Sequence, residues 1–270
     1  DQIQHPSVRE VLKFVSCLVS LRAIHNIGLE IHHDGDLPAR SGMGASSAFT
    51  VGLLPAIYTM SNHVPSRIKL ASEAIEIERR ICGGAVGSQD HVATAYGGLN
   101  EIEFDLKGFR IYPVSLTDDT LLALQDHLLL VYTGTQRDAV EVVKDQIEAT
   151  PRLMSELRAI KDMVREGRDV LRDGDIAKFG CLLHEGWALK RSLSPRISSP
   201  EIDALYAVGI GAGAFGGKLL GAGGGGFMLF LAPPEYHDRL RTAVGDRVCV
   251  PVRFDRAGSR VVYRTGEGGV

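Results

Sequence analysis

The stretch PARSGMGASSA occupies residues 38–48 of this 270-residue chain and decides its fold class. Gly42 and Gly44 permit a tight backbone turn, and the small residues that follow predict a helix beginning near Ser46. The first amides of a helix have no intrahelical partner, and the helix dipole places partial positive charge there. The stretch therefore predicts an anion-binding turn, with phosphate as the expected guest. A simple glycine turn with a serine N-cap is the alternative, and the spacing excludes a Walker A loop.

The segments on either side of this turn predict helices and one strand. A capping box at residues 7–10 opens a predicted helix that extends to about residue 23. Alternating apolar residues over positions 29–33 predict a strand, and Ser66 is expected to cap a helix that ends near Ile81.

Glu78 lies on the apolar face of that last helix. It follows Ala71 by seven residues and Ala74 by four, so its carboxylate is expected to be buried. Glu76 can pair with Arg80 one turn further on, but Glu78 must find its partner on another element. That partner is either a magnesium ion or the cation of an ordinary salt bridge.

A second carboxylate, Asp90, stands in the sequence Gly-Ser-Gln-Asp at residues 87–90, where a glycine turn enters a short apolar helix. Two interpretations are open. Asp90 is either a general base beside an anion site or an aspartate that caps the turn.

Glycine is concentrated late in the chain, where ten of the 31 glycines fall between residues 209 and 226. The stretch KLLGAGGGGF, residues 218–227, has four consecutive glycines between two predicted strands, more than a hairpin turn needs. The excess indicates a backbone surface that other groups approach closely. A flexible loop without a ligand is the alternative.

The order of elements predicts two domains in an α+β chain. Residues 99–104 and 110–114 predict a hairpin, and residues 128–132 predict a strand followed by three helices within positions 138–192. Two further strands, a helix and a last strand then give a split βαβ order. We place the first domain at residues 1–124 and the second at residues 125–270.

Composition and charge exclude several functions. The net charge of −3 provides no basic field for nucleic acid or anionic lipid, and no apolar run is long enough to span a bilayer. Four single cysteines without metal-ligand spacing argue against a disulfide scaffold or a zinc site and favour a cytoplasmic protein. The nine histidines form no ligand set, so we assign them to the surface or to packing.

Taken together, these segments resemble the GHMP kinase superfamily, named for galactokinase, homoserine kinase, mevalonate kinase and phosphomevalonate kinase. The resemblance rests on residues 38–48, on KLLGAGGGGF and on the acid pair between them. It implies an N-terminal part like domain 2 of ribosomal protein S5 and a ferredoxin-like C-terminal part. The stretches CGGAVGSQDHVATAYGGLNEIEF and VYTGTQRDA look most like the D-glycero-D-manno-heptose 7-phosphate kinases within it.

The resemblance also implies roles for individual residues. Asp90 would be the catalytic base and contact the acceptor, Ser47 and Glu78 would bind Mg²⁺, and Arg137 would meet a phosphate of the sugar. The ATP site would contain Gly42, Met43, Gly44, Ala45, Ser46 and Ser47. The substrate would be enclosed by Gly223, Gly224 and Gly225.

The expected function is ATP-dependent phosphorylation of the anomeric hydroxyl of a heptose 7-phosphate, in the synthesis of a nucleotide-activated heptose. Fucose, galactose or mevalonate as acceptor, and a ligand sensor without catalysis, are the alternatives. We expect a sugar phosphate as partner, with neither nucleic acid nor membrane, and leave a homodimer open. The superfamily's opening strands have no counterpart before Asp1, so we expect an incomplete copy of its N-terminal domain, with the acceptor residues found there unassigned.

Overall fold

The computed structural model describes residues 3–18, 29–36, 41–81, 87–135 and 139–264. The chain forms two compact units. The first contains residues 1–36, 44–98 and 255–270, and the second contains residues 37–43 and 99–254. The hairpin after residue 98 thus groups with the second unit and the C-terminal tail with the first, whereas the proposed domains 1–124 and 125–270 divide the chain at one point.

The described part of the first unit contains four helices: α1 Pro6–Leu18, α2 Ala45–Met60, α3 Arg67–Ile81 and α4 Gln89–Tyr96. Helices α2, α3 and α4 pack against one another. Their shared core is aliphatic, with Leu54, Ala74 and Val92 fully buried, and it fixes the three helix ends that carry the predicted site residues.

The C-terminal tail belongs to the first unit and packs against the end of α4. A Cβ atom at Gly97 would lie 2.2 Å from the backbone nitrogen of Gly258, so this crossing requires glycine. Arg67 at the start of α3 donates hydrogen bonds to the carbonyl oxygens of Tyr96, at 3.2 Å, and Ala257, at 3.0 Å. These bonds fix α3 and α4 relative to each other.

The second unit contains a hairpin, a four-stranded sheet and six helices among its described residues. The strands are β1 Asn100–Asp105, β2 Gly108–Pro113, β3 Leu128–Tyr132, β4 Gly216–Leu219, β5 Phe227–Leu231 and β6 Cys249–Pro251. The helices are α5 Asp118–His127, α6 Ala139–Ala149, α7 Met154–Arg172, α8 Ile176–Ser192, α9 Pro200–Gly211 and α10 His237–Val244. Strands β1 and β2 pair antiparallel.

The four-stranded sheet has the order β4-β5-β3-β6, and every neighbouring pair in it is antiparallel. With helices between β3 and β4 and between β5 and β6, the sheet has the predicted split βαβ order and is the ferredoxin-like arrangement that the resemblance implies. Its main core joins Leu129, Phe230 and Leu219 of the sheet to Trp187 of α8 and Leu205 of α9.

Most of the predicted elements are confirmed. The hairpin, β3 and the helix α8 lie where the sequence places them. Residues 29–33 are among those described, and the predicted strand there is wrong, because the structure assigns them no strand. Helix α1 is confirmed to Leu18, and the remainder of that prediction lies outside the described residues.

Candidate active site

The motif at residues 38–48 begins in the second unit and ends in the first, since the unit boundary falls between Met43 and Gly44. Its first residues, 38–40, lie outside the described part of the chain. Gly42 and Gly44 have positive φ angles of 76° and 69°, so both occupy the left-handed region that only glycine adopts readily. The prediction of a tight glycine turn is therefore confirmed.

The helix α2 starts at Ala45 directly after this turn, with Gly44 in the N-cap position. Glycine has no side chain that could accept a hydrogen bond, so no side chain of the cap satisfies the first amides of the helix. The alternative of a serine N-cap is wrong. The amides of Ala45, Ser46 and Ser47 form a helix end suited to an anion, as the sequence predicts.

Glu78 reaches that helix end from α3. It is 5% exposed, and its Oε1 accepts a hydrogen bond of 2.7 Å from Ser46 while its Oε2 accepts one of 3.1 Å from Ser47. Ser47 Oγ and Glu78 Oε2 are thus two hard oxygen ligands as close together as neighbouring ligands of one small cation. The pair fits Mg²⁺, which proteins bind through one or two such groups while substrate phosphates supply others.

His91 of α4 provides the partner that the sequence could not assign to Glu78. The ring is fully buried, and its Nε2 lies in ion-pair contact with Glu78 Oε2. Burial acts to raise the pKa of Glu78, but the hydrogen bonds from His91, Ser46 and Ser47 and the charge of His91 outweigh it and hold the pKa below its ordinary value. Glu78 is therefore a carboxylate at neutral pH. The assignment of all nine histidines to surface or packing is wrong for His91.

Asp90 is the neighbour of His91 in the first turn of α4. Ser88 holds the N-cap position of this helix, so the interpretation of Asp90 as the capping residue is wrong. A Cβ atom built on Gly44 would lie 3.2 Å from Asp90 Oδ2. The carboxylate consequently borders the N-terminus of α2, on the same helix end as Ser46 and Ser47.

The late glycine loop is a separate feature of the second unit. A Cβ atom at Gly223 would lie 2.8 Å from Ile197 Cα, one at Gly225 would lie 2.7 Å from the carbonyl oxygen of Thr135, and one at Gly226 would lie 2.2 Å from that of Ser41. Three backbone segments crowd the loop, so it is not an unconstrained turn, and the close approach predicted from its glycine content is confirmed.

Lys190 of α8 holds the start of this loop. Its Nζ donates to the carbonyl oxygen of Gly221 at 2.6 Å and to that of Leu219 at 3.4 Å. No side-chain pattern in the sequence indicates this role of Lys190, because its partners are backbone carbonyls. Substrate binding by residues 223–225 stays a prediction.

Arg137 lies outside the described residues, so its contact with a sugar phosphate stays a prediction.

A cavity of about 600 Å³ in the first unit is bounded by α1 and Phe49 of α2, and no predicted site residue lines it. Among the described residues, no helix combines the length and apolar character needed to cross a membrane.

The family profile described as GHMP kinases N terminal domain matches residues 9–98, and the profile described as GHMP kinases C terminal matches residues 153–249. The first match contains the Gly42–Ser47 turn, Glu78 and Asp90, and the second contains the late glycine loop.

Among curated proteins, the chain is 30% identical over 211 residues to D-glycero-alpha-D-manno-heptose 7-phosphate kinase of Campylobacter jejuni, covering 77% of this chain and 62% of that one. It is 27% identical over 226 residues to the bifunctional fucokinase/GDP-fucose pyrophosphorylase of Arabidopsis thaliana, covering 81% of this chain and 21% of the relative. The chain thus spans less than two thirds of the length of either relative.

Among solved structures, a D-glycero-D-manno-heptose 1-phosphate kinase from Bacteroides thetaiotaomicron superposes with a TM-score of 0.65 at 24% identity, covering 94% of this chain and 73% of that one. At this identity the likeness shows the fold. Since the two profile matches together take in most of the chain and both glycine-rich motifs, the protein belongs to the GHMP kinase family and has its two-part α+β fold.

Proposed function

We propose that this protein is an ATP-dependent kinase that phosphorylates the anomeric hydroxyl of D-glycero-D-manno-heptose 7-phosphate. The observation that carries the proposal is the grouping of Ser46, Ser47, Glu78 and Asp90 at the N-terminus of α2. This grouping combines amide donors for phosphate, two oxygen ligands for a cation and the carboxylate of Asp90, which are the parts that phosphoryl transfer requires.

Each part has a separate task in this reaction. The turn Gly42–Ser47 binds phosphate oxygens of ATP through backbone amides, and Ser47 and Glu78 hold Mg²⁺, which neutralises charge on those oxygens when bound. Asp90 orients the acceptor hydroxyl. A new bond forms between that hydroxyl oxygen and the γ-phosphorus, the bond from the γ-phosphorus to the bridging oxygen breaks, and ADP leaves with that oxygen.

The proton of the acceptor hydroxyl goes to the Asp90 carboxylate. Because a carboxylate is a weak base toward a sugar hydroxyl, Asp90 contributes mainly through orientation, with proton capture late in the step. The loop at residues 223–225 is assigned to the substrate, and Arg137 to its phosphate through a charge-assisted contact.

The name of one relative supports the choice of acceptor, and the names of other relatives point to different acceptors. The Campylobacter protein is named a heptose 7-phosphate kinase, the Bacteroides structure a heptose 1-phosphate kinase, and the Arabidopsis relative a fucokinase. Mevalonate kinase and galactokinase from Pyrococcus are also similar to this chain, at 24% and 26% identity. The acceptor must therefore be tested among all of these.

Release of ADP from ATP and Mg²⁺ should be measured with heptose 7-phosphate, fucose, galactose and mevalonate, and the phosphorylated position should be read by phosphorus NMR. We expect turnover with heptose 7-phosphate and a new anomeric phosphate. The Arg137→Ala variant should lose far more affinity for a phosphorylated acceptor than for a neutral sugar. If the protein binds nucleotide and sugar but releases no ADP with any acceptor, the proposed kinase activity is refuted and the ligand sensor is favoured.

A further inference from the structure

Among the described residues, three side chains contact the two carboxylate oxygens of Glu78. Ser46 donates to Oε1 and Ser47 donates to Oε2, and His91 Nε2 lies in ion-pair contact with Oε2. A carboxylate offers about four lone-pair positions. These three contacts therefore restrict its rotation, and in the proposed function the cation is a further partner.

His91 differs from the two serines in its position and in the folding free energy that its burial costs. It comes from α4, it is fully buried, and its Nδ1 has no hydrogen-bond partner among the described residues. An unpaired nitrogen in the core costs stability, and an aliphatic residue of similar size would fill the same space without that cost. Packing alone does not account for a histidine at this position.

We propose that His91 is a positioning residue that holds the Glu78 carboxylate in the orientation in which Glu78 and Ser47 bind the divalent cation. This inference rests on the proposed function. His91 acts through Glu78 and touches neither substrate nor cation. Removal of a hydrogen bond to a metal-binding group typically weakens metal affinity by about 10- to 100-fold.

The test measures Mn²⁺ binding by electron paramagnetic resonance in the presence of saturating ADP. His91→Leu removes the donor, and His91→Gln places an amide nitrogen near the position of Nε2. We expect His91→Leu to weaken Mn²⁺ binding about 10- to 100-fold and His91→Gln to stay within about threefold of the wild type. His127→Leu is the matched control, because His127 lies on α5 in the second unit and its Nδ1 bonds to the carbonyl oxygen of Ala123.

Steady-state kinetics provide a second readout. The Mg²⁺ concentration for half-maximal activity should rise with His91→Leu by the same factor as the Mn²⁺ dissociation constant, with the KM for the sugar unchanged. A folded His91→Leu variant with wild-type Mn²⁺ affinity would overturn the inference.

If His91→Leu fails to fold, the comparison of His91→Gln with His91→Asn decides, because the Asn amide is one methylene too short to reach Glu78. Weaker Mn²⁺ binding by the Asn variant alone supports the inference, and equal affinities overturn it. A wild-type protein that binds no Mn²⁺ with ADP would overturn the proposed function as well. If the wild type binds Mn²⁺ and both His91→Gln and His91→Asn bind it equally well, only the role of His91 is overturned.

Discussion

The substitution Gly44→Ala tests the geometry of the candidate site most finely. Gly44 has a φ angle of 69°, and an alanine there incurs the cost of the left-handed conformation, about 1–2 kcal/mol. Its methyl group would also lie 3.1–3.2 Å from Cβ, Cγ and Oδ2 of Asp90. The aspartate must therefore yield by a few tenths of an ångström. If a displacement of about 1 Å costs about 100-fold in rate, this shift costs about 4- to 10-fold.

Gly52→Ala is the matched control, because Gly52 lies on the same helix and an added Cβ there meets no atom within 4 Å. Alanine in a helix interior should stabilise the protein by roughly 0.5–1 kcal/mol. We expect the melting temperature to fall by about 2–8 °C with Gly44→Ala and to rise by about 1–4 °C with Gly52→Ala.

Melting should be followed by circular dichroism, because the single tryptophan, Trp187, lies in the other unit. The value of kcat should fall only for the Gly44→Ala variant. A Gly44→Ala variant with the stability and kcat of Gly52→Ala would refute both the strained turn and the position of Asp90.

Two further predictions concern stability. Burial raises the pKa of Glu73, which accepts hydrogen bonds from Tyr58, so the folded state holds this proton more tightly than the unfolded chain and stability is lost as pH rises through the folded pKa. Urea unfolding should show that the free energy of unfolding of Glu73→Gln rises relative to that of the wild type between pH 4.5 and 7.5. The rise should be about 1.4 kcal/mol for each unit by which the pKa of Glu73 is elevated. A difference in unfolding free energy that does not change with pH would contradict this. A Cβ atom at Gly209 would lie 2.2 Å from the ring of Phe230, so Gly209→Ala should lower the free energy of unfolding by about 1–3 kcal/mol or more. Gly211→Ala should not, because an added Cβ there meets no atom within 4 Å. Both variants can be measured by urea unfolding followed by Trp187 fluorescence.

The local chemistry of the site could be predicted from the sequence because it depends on short-range rules. Two glycines before a small-residue helix predicted the anion-binding turn, and the apolar stripe of α3 predicted a buried Glu78 that needs a partner from another element. The surface pair of Glu76 and Arg80 followed in the same way from their spacing of four residues.

Long-range pairing could not be predicted in this way. His91 follows Asp90 and faces the core with Val92 and Ala95, which gives the sequence of a buried helix face and no sign of its contact with Glu78. Residues 29–33 alternate as a strand does, but alternation predicts an extended backbone and cannot supply a pairing partner.

The helix α9 was missed for a different reason. Its N-terminus has a serine N-cap at Ser199, which accepts a hydrogen bond from the amide of Ile202, and a proline in the first helical position. These are clear start signals. The glycines at 209 and 211 concealed them, because both were counted in the glycine-rich region from residue 209 to 226 although they belong to the last turn of the helix.

The central claim is that the carboxylate of Asp90 beside the N-terminus of α2 serves phosphoryl transfer from ATP. The most direct test is a single-turnover experiment with excess protein and ATP labelled in the γ-phosphate, comparing the wild type with Asp90→Asn. We predict that the wild type transfers the label to the sugar hydroxyl and that Asp90→Asn binds ATP normally but transfers at least about 100-fold more slowly. Transfer by Asp90→Asn at the wild-type rate would contradict the account.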